Sequence, residues 1–256
     1  MFLSVRWLVL AMFVMVSVTL IMSAPARLLG HILPASSIVL QGVSGSLWSG
    51  KAAGCLVRMP GGFMQLGETR WTVSPLSLML LAPRVSLSSQ WGEQRVRAKL
   101  TYLGADHLRV SDVEARIDAG LLQAFLPVSL DGTLASSLES AEIKQGVLRS
   151  MVGRVVWEDA VWLSPRGDVV LGSYAIDSKH VDSGVRAEIL TLTGPLLADG
   201  LVALTHADGV ASYDLTLELG SEGSMNPQLQ EALSLIAPPT DSGYRLTLQG
   251  KLPPAG

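Results

Sequence analysis

Apolar and polar residues alternate with a period of two through most of this chain. Arg95-Val96-Arg97-Ala98-Lys99-Leu100-Thr101-Tyr102 puts Val96, Ala98, Leu100 and Tyr102 on one side of an extended backbone and the charges on the other. Tyr244 to Leu252, Tyr213 to Leu219 and Val85 to Trp91 repeat the pattern. Successive side chains of a strand point to opposite faces, so the alternation predicts half-buried antiparallel strands with one wet face. In Leu108 to Ile117 it slips at Ser111-Asp112, which predicts a bulge or bend. Turn chemistry at Asp131-Gly132, Arg166-Gly167-Asp168, Asp208-Gly209 and Ser242-Gly243 separates the runs.

Helical spacing is rare. Asn226-Pro227 pairs a capping residue with a proline at the first helical position, and Leu229, Leu233 and Ile236 follow on one face. Pro238-Pro239 stops that helix. Pro75 to Leu81 and Ala119 to Phe125 read as shorter helices, halted by Pro83 and Pro127. The expected fold is all-β: a large curved antiparallel sheet, or sheets, with a few short helices. A small closed barrel is the alternative, and the number and length of the strands favour the sheet. Two halves meeting near 165–180 are a further expectation.

One segment breaks the pattern. From Trp7 to Ala26 the chain carries no charge, and twenty helical residues span about 30 Å, the thickness of a bilayer core. This predicts a single-pass anchor at 7–26, a short cytoplasmic tail at 1–6 and an external body at 27–256. A tail this short cannot fold, so the body is the translocated part. Ser23-Ala24-Pro25-Ala26 offers a competing cleavage site, which would make the segment a signal peptide and start the mature chain at Arg27. The apolar run is longer, and its basic flank thinner, than a signal peptide needs.

Composition narrows the function. The chain has 256 residues, a net charge of −3, 48% hydrophobic and 16% charged residues. Its cations are scattered, with no basic cluster interleaved with aromatics, so nucleic acid is not an expected partner. The single cysteine, Cys55, cannot form an internal disulfide and reads as a small buried apolar group. His31, His107, His180 and His206 lie in separate segments without metal-ligand spacing. No nucleophile elbow or phosphate-cradling glycine loop occurs. Glu139, Glu142, Glu158 and Asp159 form no assignable acid–base pair, and Arg166-Gly167-Asp168 reads as a hairpin turn rather than an adhesion motif. We expect no catalytic, cofactor-binding or metal site, and a protein that is not an enzyme.

Gly45-Ser46-Leu47-Trp48-Ser49-Gly50 is the most distinctive stretch of the body. Physically it is a tight turn between strands whose glycines admit another backbone, with Trp48 as a hairpin anchor. It resembles the Gly-x-Leu-Trp-x-Gly signature of the type II secretion system protein N family. Trp71-Thr72-Val73-Ser74-Pro75, Gly132-Thr133-Leu134 and Gly146 to Ala160, with Trp157, resemble further stretches of that family. The resemblance runs to about Leu163. It implies Gly45, Leu47, Trp48, Gly50, Trp71, Pro75, Gly132, Gly146 and Trp157 as structural signature residues. It further implies an accessory inner-membrane component, its body in the periplasm, serving export of folded proteins across the outer membrane. Its expected partners are other inner-membrane components of that machine, reached in part through exposed edge strands. The alternative is an AsmA-like envelope protein, whose partner is lipid held in a groove of the sheet.

Overall fold

A computed structural model describes residues 23–32, 38–59, 62–79, 82–104, 106–124, 128–182, 184–207, 210–241 and 243–252, and earlier in the chain Trp7, Val9, Leu10, Met12, Phe13, Met15, Val16 and Thr19. These early residues are helical and exposed. The expected anchor at 7–26 lies largely outside the described residues. Among those described, no helix is long and apolar enough to cross a membrane.

The body is a succession of antiparallel strands. The first six are β1 (Ile38–Gln41), β2 (Ser44–Gly45), β3 (Ser49–Ala52), β4 (Gly54–Met59), β5 (Gly62–Gln65) and β6 (Glu68–Val73). Then come β7 (Arg84–Trp91), β8 (Gln94–Gly104), β9 (His107–Asp118), β10 (Leu130–Lys144), β11 (Val147–Ser164) and β12 (Gly167–Val181). The last are β13 (Gly184–Thr193), β14 (Leu196–Ala207), β15 (Val210–Ser221), β16 (Pro239–Thr240) and β17 (Gly243–Leu252). One 14-stranded sheet has the order β16-β17-β15-β14-β13-β12-β11-β10-β9-β8-β7-β6-β3-β2, and β1, β4 and β5 form a small second sheet. The large sheet is open, since β2 and β16 end it rather than meet. It runs without a break through residues 165–180.

The register separates two kinds of row. Thr69, Ser89, Val96, Ala115, Ser136, Val155, Ile176, Ile189, Gly200, Leu217 and Leu246 pair strand to strand across the sheet, and none carries a charge. One residue away, Arg70, Ser88, Arg97, Glu114, Ser137, Arg154, Asp177, Glu188, Leu201, Thr216 and Thr247 pair in the same way. The alternation read along each strand thus becomes an apolar face and a charged face.

Two plugs cover the ends of the apolar face. At the N-terminal end, Ala26 packs with Ala52 and Trp71, flanked by Leu29, Val73, Val85 and Leu87. Ala26–Leu28 is a 3-10 turn leading into α1 (Leu29–Ile32). At the other end α3 (Pro227–Ile236) lays Leu229 and Leu233 on Tyr174, Leu196, Ala198, Leu219 and Tyr244. Asn226 caps it as expected, accepting from Gln228 N–H at 2.9 Å. The short α2 (Pro75–Met79) also starts at its proline, whereas Ala119–Ala124 is 3-10 rather than α.

Two readings need correction. Asp131-Gly132 is not a turn but lies inside β10, where Gly132 sits at a register shift facing Glu158 and Asp159. The extra residue of β11 fits there, Asp159 at φ +50°, as a bulge rather than a chain reversal. The predicted slip at Ser111-Asp112 is a bulge of this same kind, with Asp112 at φ +50°. Asp208-Gly209 and Ser242 lie outside the described residues. Trp48 is only partly buried; the buried anchor of that hairpin is Trp71, 6% exposed. Trp48 contributes its backbone, its carbonyl accepting from Val73 N–H at 2.7 Å.

Candidate interaction surface

Six of the nine expected signature residues fall in two brackets of one design, Gly45, Leu47, Gly50 and Trp71 in one and Gly132 and Trp157 in the other. In the first, Trp71 Nε1–H donates to Leu47 O at 3.1 Å, and the indole lies against Gly50. A Cβ on Gly50 would stand 2.4 Å from Trp71 Cζ2. Gly45, at φ +94°, brings its own backbone against Ser49 O and Gly50 Cα. In the second bracket, Trp157 Nε1–H donates to Asp131 O at 3.1 Å. Gly132, at φ +113°, sits beneath it, where a Cβ would meet Glu158 O at 2.6 Å and Trp157 Nε1 at 3.0 Å. Each bracket locks a large ring over an irregular strand by pairing its N–H with a backbone carbonyl beside the irregularity. Pro75 opens α2 beside the first bracket, and Gly146 turns β10 into β11 at φ +70°, apart from both.

A third bracket carries no tryptophan and was not legible as part of the signature. Tyr174 O–H reaches Leu171 O and Leu196 O, each at 2.9 Å, beside the mutual contact of Gly172 and Gly194. Burial pushes the Tyr174 phenol up to about 12. Trp157 and Tyr174 meet with ring centroids 6.2 Å apart, so the second and third brackets join in one cluster. The signal available in sequence was the glycine pair, at Gly172 and at Gly194 before Pro195.

Between the plugs the apolar face is less completely covered by the described residues. Val96, Ala115, Ile117, Leu134, Leu138, Val155 and Ile189 are only partly buried there. The opposite face is tied by cross-strand ion pairs: Lys99 with Asp112 at 2.9 Å, Arg116 with Glu158 at 2.6 Å, Arg154 with Asp177, and Arg245 with Glu218 at 2.6 Å. Arg109 holds the Glu142 carboxyl below its ordinary range, and Arg154 does the same for Asp177. These pairs are solvated, so they set register more than they add stability.

The residues weighed for chemistry are scattered. His107 Nε2 lies 3.6 Å from Glu142, and His180 Nδ1 meets Gly184 O at 3.1 Å. Among the described residues no three of His, Cys, Asp and Glu gather to hold a metal ion. Pro165-Arg166 forms the β11–β12 turn, Gly167 and Asp168 already pair in β12, and Arg166 pairs with Glu231 of α3 at 2.6 Å. Cys55 is buried in β4, where desolvation pushes its thiol up.

The sequence model of the family described as type II secretion system (T2SS), protein N, matches residues 36–247. The chain is 25% identical to a type II secretion system protein N of Aeromonas hydrophila over 241 residues, covering 91% of this chain and 93% of that one. It is 22% identical to the protein of the same name from Pectobacterium carotovorum subsp. carotovorum, covering 90% of each chain. No solved structure gives a significant match.

Proposed function

The chain belongs to the type II secretion system protein N family, and from that premise we propose that it is an accessory inner-membrane component of the secretion machine. Membership itself supports a type II secretion component. The finer reading adds a single-pass anchor at 7–26, a periplasmic β-rich body, and a role in moving folded proteins across the outer membrane through contacts with other inner-membrane components. The observation that carries it is the family match along nearly the whole sheet, together with the uncharged run before it. The body works as a scaffold held by its anchor, and it is not an enzyme.

Two measurements test this. Alkaline phosphatase fused after Gly256 should be active, and protease added to spheroplasts should digest the body; full protection refutes the orientation. Deleting the gene should leave folded exoproteins in the periplasm with outer-membrane permeability unchanged. Normal secretion with leaky membranes and co-purified phospholipid refutes the secretion role. That second outcome belongs to the alternative of a lipid-handling envelope protein, favoured by one observation: the apolar residues of the sheet between its plugs, such as Val96, Ile117, Leu134 and Val155, are only partly buried among the described residues.

A further inference from the structure

The large sheet has two edges with different treatment. At the N-terminal edge, Pro25 bridges Ser46 and Leu47 N–H donates to Ala24 O at 2.9 Å. At the C-terminal edge, β16 pairs only with Gly243 and Tyr244 of β17. Arg245 N–H donates to Pro238 O at 3.1 Å on that same side. Backbone polar groups alternate sides along a strand, so Thr247, Gln249 and Lys251 also direct N–H and C=O away from β15. Among the described residues no strand pairs with them. All three are exposed, and Leu248 beside them is 46% exposed.

Natural sheets blunt such an edge with bulges, prolines or charges. Bulges occur inside this sheet, but β15 and β17 pair from Ala211↔Leu252 to Leu219↔Tyr244 without a register shift. On the charged face, Arg245 is tied to Glu218 and Gln249 to Asp214. Lys251 stands opposite Ser212, with no ion-pair partner among the described residues. Among the described residues the free stretch therefore combines straight unpaired backbone, two leucines on the apolar face and a single cation without an ion-pair partner, too few charges to blunt the edge by themselves.

We propose that the free edge of β17 receives an extended strand from a different protein, with apolar residues beside Leu246 and Leu248 and an acidic residue facing Lys251. Main-chain hydrogen bonds supply the affinity of such strand addition, and the alternating side chains supply its selectivity. The inference rests on the hydrogen bonding of the sheet and stands or falls apart from the secretion reading.

The test uses the full chain in detergent micelles and a labelled peptide, Thr-Val-Thr-Val-Glu-Val-Thr-Val-Thr, with a twin carrying lysine for glutamate. Bound glutamate peptide should slow amide exchange at Thr247, Gln249 and Lys251 by about tenfold or more. The lysine twin should bind several-fold more weakly, and Lys251→Glu should reverse that preference. Gln249→Pro deletes one N–H on the open side and keeps the β15 ladder; it should weaken binding by roughly tenfold. Unprotected amides at these three positions, or equal binding of the twins, overturns the proposal. So does a dimer, seen by light scattering, that Gln249→Pro dissolves, because the edge then belongs to a second copy.

Discussion

Replacing Gly50 by alanine puts a methyl carbon 2.4 Å from Trp71 Cζ2, 2.9 Å from Cε2 and 2.8 Å from Ser44 O. Gly50 does not have a positive φ, so alanine brings no backbone strain and the whole cost is steric. The ring cannot absorb it by tilting alone, because Trp71 is 6% exposed and its N–H is held by Leu47 O. Overpacking of this kind costs about 1–3 kcal/mol. A lost hydrogen bond from a buried ring adds about 1 kcal/mol. Gly50→Ala should therefore destabilise by about 2–4 kcal/mol, lowering the melting temperature by roughly 5–12 °C for a domain of this size. Urea titration of the full chain, followed by tryptophan emission, measures it. The decisive arm is a double-mutant cycle with Trp71→Leu, which removes the clashing ring atoms and leaves Ser44 O. Gly50→Ala should cost at least about 1 kcal/mol less in that background. An equal cost in both backgrounds means that the ring is not what Gly50 accommodates.

Trp71→Ala should destabilise by about 3–5 kcal/mol, and Trp48→Ala by clearly less, since Trp71 is buried and Trp48 only partly so; thermal melts rank the two. Gly132→Ala and Gly167→Ala impose similar strain at φ +113° and +123°, but only Gly132 would meet backbone oxygens; it should cost at least about 1 kcal/mol more by the same titration. Glu142 and Asp177 have depressed folded-state pKa values. Their contribution is therefore complete above the ordinary carboxylate range, about 4, and is lost as pH falls through the folded values. Asp177→Asn should make the acid limb of the stability curve shallower, and an unchanged limb assigns the loss to other groups. Asn226→Ala should cost about 1 kcal/mol and loosen α3, read as faster exchange of the Gln228 amide.

Most strands were legible because Val96, Ala98 and Leu100 alternate with Arg95, Arg97 and Lys99, and one buried face fixes such a pattern. The α3 cap was legible because Asn226-Pro227 acts locally. Gly132 was not, since glycine after aspartate marks a turn in most chains, and only the bulged backbone at Asp159, a strand away, turns it into a seat for Trp157. The exchange of roles between Trp48 and Trp71 has the same origin. Composition shows that a tryptophan anchors the hairpin; which one is decided by Gly50, which lacks the Cβ that would exclude the ring of Trp71. The third bracket, built on Tyr174, was hidden because its second acceptor, Leu196 O, lies on β14, two strands away in the sheet.

From β6 to β15 the order of strands in the sheet is their order along the chain. Each strand finds its partner in the segment made just before it, so loops are short and closure costs little entropy. The sheet can grow one hairpin at a time while later segments are still being delivered, as a row of repeats propagates from a nucleus. The exception is at the start, where β6 must reach back past β4 and β5 to pair with β3. That step, seated by Ala26, Ala52 and Trp71, is the long-range closure on which propagation depends. Damage there should delay folding, whereas damage at β17, which arrives last, should chiefly speed unfolding from that end.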